Sequence, residues 1–174
     1  IEEFIEEEEL KKIDGFLNIY SNDDDSVFYL KLDKEDLNEK FIYFSYVMNA
    51  PQGSTLTGGL PSDGKVYEFR SFKKDKIGLY QINTSYIKGD ETNNIARSSI
   101  TNITEAFVEV FKPTARTEDS VLINLNSIIL SEKMDSISYV PSEYREYISV
   151  DYGRPDEAKT CLLYTSPSPR DEAL

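Results

Sequence analysis

The chain is a succession of short segments in which apolar and polar positions alternate, broken by polar turns. Phe28, Leu30 and Leu32 alternate with Tyr29 and Lys31, and Tyr67 and Phe69 alternate with Glu68 and Arg70. A period of two sends successive side chains to opposite faces of a strand, so both segments read as strands with one wet face. The pattern predicts a hairpin of strands 16–20 and 27–32 across the turn 22–25. It predicts a second hairpin of 65–72 and 77–82 with a charged tip at 73–76. Further strands are expected at 106–111 and 121–125 around a loop at 113–119, and at 136–140, where Pro141 ends an edge strand.

Residues 41–47 depart from the alternation. Phe41, Ile42, Tyr43, Phe44, Tyr46 and Val47 put apolar or aromatic side chains at both parities, which predicts a strand buried on both faces and makes it the expected centre of the sheet. On that reading, Phe44→Asp abolishes cooperative unfolding, because it places a charge in a dry core.

Helical signals are fewer. Asp33 caps an expected single turn at 33–37. Ala96, Ile100, Ile103 and Phe107 step by four, three and four, which predicts a helix over 93–104 with one apolar face. A short helix is expected at 126–133. Residues 1–12 carry Glu2, Glu3 and Glu6 to Glu9, whose mutual repulsion predicts a frayed helix or a solvated linker. The expected class is α+β and strand-dominated: an antiparallel sheet of hairpins, open to strong curling, with one or two packed helices. The expected domains are an acidic lead-in at 1–12, a single β-rich domain at 13–160, and a tail at 161–174 that is foreign to it.

The tail is set apart by its own sequence. Cys161-Leu162-Leu163-Tyr164-Thr165-Ser166-Pro167-Ser168-Pro169-Arg170-Asp171 resembles the translation of a sequencing-library adapter, so it is left out of the fold. With it goes the single cysteine, and the coding frame is expected to continue past about Thr160. The chain opens on Ile1 without a basic and apolar leader, which says nothing about export if the start is cut away.

The net charge of −13 argues against nucleic acid and anionic membranes as partners, since both need a basic surface. Removing Arg170, Asp171 and Glu172 leaves −12, so the conclusion stands. No apolar run approaches the ~20 residues of a membrane-spanning helix.

The absence of histidine removes the commonest general acid/base, every serine or cysteine triad that uses it, and zinc sites of the His-Glu-x-x-His kind. Asp23-Asp24-Asp25 lacks the alternating ligands, glycine and terminal glutamate of an EF-hand loop and reads as an acidic hairpin turn. The loop 52–64 has the glycines of a contact surface but not the Lys-Ser, Lys-Thr or Gly-x-Gly-x-x-Gly spacing of a phosphate loop. Many carboxylates are present, yet no spacing singles out a catalytic pair. No catalytic, cofactor-binding or metal-binding residue is therefore assigned. Tyr29, Tyr43, Tyr46 and Tyr80 are the candidate contact residues for a peptide or glycan, with aromatic core as the competing role.

The order of these pieces resembles a known region. Gly15-Phe16-Leu17-Asn18-Ile19-Tyr20, Phe28-Tyr29-Leu30-Lys31-Leu32 and Phe41-Ile42-Tyr43-Phe44-Ser45 are similar to the segment ahead of the catalytic domain in large bacterial zinc-dependent metalloproteases of the metzincin type. Gln81-Ile82-Asn83, Ser120-Val121-Leu122-Ile123 and Leu130-Ser131-Glu132 agree with it, and the likeness covers about 12–160. The resemblance implies a non-catalytic accessory domain whose partner is the downstream catalytic domain of the same chain. Zinc and its His-Glu-x-x-His ligands would lie in that absent part, and the protein would be periplasmic or secreted. A free-standing peptide- or glycan-binding module is the other reading.

Overall fold

A computed structural model describes residues 1–46, 62–84, 105–129, 131, 133 and 134. The expected helix at 93–104, the edge strand at 136–140, most of the loop 52–64 and the tail 161–174 lie outside the described residues.

Among the described residues, nine strands form two antiparallel sheets. The five-stranded sheet has the order β1-β2-β3-β9-β8, from Lys11–Ile13, Asn18–Ser21, Phe28–Asp33, Ser120–Asn124 and Ala115–Arg116. The four-stranded sheet runs β4-β5-β6-β7, from Lys40–Tyr43, Lys65–Phe72, Lys76–Ile82 and Ala106–Phe111. The strand-dominated α+β class is as the alternation predicts, with the strands shared between two sheets instead of one. Both hairpins form where the turn signals place them, with Ile19 opposite Leu30 and Phe69 opposite Leu79.

The two sheets share one core. Phe28, Leu30, Leu32 and Ile123 from the first sheet cluster with Tyr67, Phe69, Ile77, Leu79 and Phe111 from the second. Each fully buried side chain of this size contributes roughly 1.5–3 kcal/mol. The chain crosses between sheets through a 3-10 turn, Lys34–Asp36, whose capping box uses Asp33 and Asp36. The Asp36 carboxylate accepts from the Asp33 N–H at 2.8 Å, and the Asn38 N–H then donates to the Phe69 carbonyl of the other sheet at 2.8 Å.

Residues 41–46 do not form the centre. β4 is the outermost strand of its sheet, paired only with β5 among the described residues. Phe41 and Tyr43 turn inward against Tyr67, at ring-centroid distances of 6.1 and 6.0 Å. Ile42 and Phe44 point the other way and are 44% and 38% exposed. Apolar residues at both parities thus do not require two dry faces; here the second parity belongs to a half-wet outer face. Among the described residues, the strands enclosed on both sides are β2, β3 and β9 in one sheet and β5 and β6 in the other.

The acidic start is not solvated throughout. Helix α1, Glu2–Glu7, buries Ile5 and lies against the outer face of the five-stranded sheet. Phe4 meets Tyr29 edge-on at 5.3 Å, and Glu2 pairs with Lys31 at 2.8 Å. The contact with Lys31 holds the Glu2 carboxyl below its ordinary range. A second helix, α2, Asn126–Ile129, is tied to the start of β3. The Asn126 side chain accepts from the Phe28 N–H at 2.8 Å and donates to the Ser26 carbonyl at 2.9 Å.

Candidate binding face

The outer face of the four-stranded sheet collects the polar parity of the predicted second hairpin. Along β5 that parity is Glu68, Arg70 and Phe72. In the register with β6, Glu68 lies opposite Tyr80 and Arg70 opposite Gly78. Between Leu79 and Tyr80 the pairing with β7 shifts, so that Leu79 faces Glu109 while Tyr80 faces Phe107. Such an irregularity re-aims side chains. Here it brings Phe107 onto the outer face beside Tyr80, where it is 49% exposed.

Three rings adjoin there. Phe107 lies 5.2 Å from Tyr80 and 5.4 Å from Phe72, centroid to centroid. They close over Gly78, where an added β-carbon would sit 2.8 Å from Tyr80 Cε2 and 3.3 Å from Phe107 Cε2. The missing side chain lets the rings lie down on the sheet.

Arg70 stands next to the rings. Its Nε donates to Glu68 Oε1 and its NH1 to Glu105 Oε2, both at 2.5 Å, and its guanidinium carbon lies 4.8 Å from the Tyr80 centroid. The Glu68 hydrogen bond, with that of Glu105, raises the Arg70 pKa against the opposing effect of burial. Glu68 is 4% exposed and needs this partner, since an unpaired buried carboxylate is costly. The result is a rigid planar donor between two acceptors, bordered by an accessible aromatic surface.

Of the four candidate contact tyrosines, only Tyr80 belongs here. Tyr29 lies under Phe4 on the other sheet. Tyr43 faces the core, where burial raises its phenol pKa against a hydrogen bond with Ser45. Tyr46 packs edge-on against Phe44 at 5.2 Å. Glu68, Arg70, Phe72, Glu105 and Phe107 were not singled out by sequence. The alternation of 65–72 contained the signal for the first three. Phe107 falls at the end of the helical spacing from Ala96 and also inside the expected strand 106–111; the strand is what forms, and nothing in the sequence marks the shift in register that places its ring on the outer face.

The acidic turn at 22–25 is an ordinary side-chain-braced turn. The Asn22 Oδ1 accepts from the N–H groups of Ser26 and Val27 at 3.0 and 3.1 Å. Among the described residues no group of three or more potential metal ligands is found, and no helix is long and apolar enough to cross a membrane.

An open groove of about 270 Å³ lies at one end of the two sheets, near Lys34, Arg116 and Asp119. It falls below the ~300–1,000 Å³ usual for ligand sites. Two of its cations are paired, Lys34 with Asp119 at 2.7 Å and Arg116 with Asp75 at 3.5 Å. Comparison of the chain with protein-family models, with curated proteins and with solved structures finds no match.

Proposed function

We propose that this chain is a non-catalytic accessory domain of a bacterial zinc-dependent metalloprotease, acting by surface contact, with the downstream catalytic domain of the same chain as its partner. The resemblance supports this placing. All but one of the segments that carry it fall on β2, β3 and β4, the end of β6, and β9 of this chain; the exception, Leu130-Ser131-Glu132, follows α2. Zinc and the chemistry of peptide hydrolysis would belong to the downstream part, and export from the cytoplasm goes with the same reading.

The observation that carries a contact role beyond the catalytic domain is the outer face of the four-stranded sheet, where Phe107 is half exposed beside the Arg70 cluster. That same ring favours the second reading, a free-standing module for peptide or glycan. The test of a non-catalytic role is to measure zinc content and casein cleavage with the purified chain. Less than stoichiometric zinc and no cleavage are expected. One zinc per chain, or cleavage abolished by a chelator, overturns the reading.

A further inference from the structure

The geometry points to a neutral glycan as the ligand of the outer face, with the Phe107 ring as its stacking platform and the Arg70 cluster as its polar contact. This rests on the contact role proposed above and adds the chemical class of the ligand. The argument begins with the unused hydrogen-bonding capacity of Arg70. A guanidinium has five N–H donors in a fixed fork. In the described residues Arg70 gives one from Nε to Glu68 and one from NH1 to Glu105, which leaves donors on NH1 and NH2. Its side chain remains 30% exposed beside that of Glu105, so these donors lie at the surface.

Next to them is the half-exposed Phe107 ring, edge-on to Tyr80, whose own ring centroid lies 4.8 Å from the Arg70 guanidinium carbon. A sugar ring presents an apolar C–H face that packs on an aromatic ring, and hydroxyls at its rim that both donate and accept. The patch offers the complementary set across three successive strands, Arg70 on β5 and Phe107 on β7 with Tyr80 of β6 between them.

Charge selects among glycans and against a protein partner. The patch holds one cation and two carboxylates on a chain of net charge −13, so anionic glycans are repelled and uncharged ones are not. A protein docking here would have to dry a charged cluster at the centre of its interface, whereas interface cores are depleted in charge. A glycan leaves the cluster solvated and replaces water with hydroxyls.

The closing experiment is affinity electrophoresis of the whole chain through gels containing a soluble β-glucan, xylan, galactomannan or glycogen, with a thermal melt of every variant. Retardation by at least one polysaccharide is expected. Phe107→Ala, which removes an exposed ring, should weaken it at least about tenfold with little change in melting. Arg70→Lys keeps the charge but loses the fork, and should weaken it as well. Ile42→Ala, outside the patch, should be retarded like the wild type. No retardation in any of the four gels, or undiminished retardation of Phe107→Ala, overturns the inference. Capture on an immobilised peptide array without retardation by glycans also overturns it, while leaving the contact role intact.

Discussion

At Gly78 a β-carbon would lie 2.8 Å from Tyr80 and 3.3 Å from Phe107, so Gly78→Ala forces the rings off the sheet. The expected cost is about 1–3 kcal/mol, read from urea unfolding, and an unchanged midpoint would show that the rings are not held there. Glu9 ends α1 in the left-handed region at φ 52°, where its successor Leu10 donates back to the Ile5 carbonyl at 2.9 Å. Glycine takes that conformation without strain, so Glu9→Gly should stabilise the chain by up to about 1 kcal/mol. Phe44→Asp, expected from sequence to abolish folding, falls on a side chain 38% exposed. It should now cost no more than about 1 kcal/mol. The same change at Phe69, which is 3% exposed, should abolish the cooperative transition.

Among the elements, β4 tests the placement of the core. Native-state hydrogen exchange should find the amides of Leu30, Ile123, Phe69 and Leu79 opening only with global unfolding, and those of β4 opening at lower free energy. Slowest exchange in β4 would restore it to the centre. Alternation is sufficient to read β3 and β5 from sequence, because one parity of each lines the core and the other lies on the outer face of its sheet. It fails for 41–46, because hydrophobicity alone does not distinguish a dry second face from a half-exposed one. It also gave no sign of the way Ile5 anchors the acidic start.

The contact of β7 with the segment after α2 adds a pH-dependent contribution. Burial tends to raise the Glu109 pKa, but Lys133 and the Val110 N–H together hold it below the ordinary range. A carboxyl with a lowered folded-state pKa stabilises above its unfolded value, ~4.3 for glutamate, and loses that contribution as pH falls through the folded value. The stability gap between wild type and Glu109→Gln should therefore be full at neutral pH and close as pH drops below about 4. A gap independent of pH would separate Glu109 from this ion pair.

On the scale of the whole molecule, the chain begins in one sheet, builds the other, and returns to complete the first, so β3 meets β9 only after 86 intervening residues between Asp33 and Ser120. That long-range pairing is what unites the hairpins around a single core, and local periodicity carries no record of it. The candidate face was legible in part: the register of the predicted hairpin sets Arg70 across from Gly78, whereas the arrival of Phe107 depends on the third strand. The proposed role as an accessory domain is tested most directly in the source DNA, by amplifying from codons ahead of Thr160 and reading downstream. The account predicts an open frame that continues into His-Glu-x-x-His. A stop codon soon after Thr160 would contradict it.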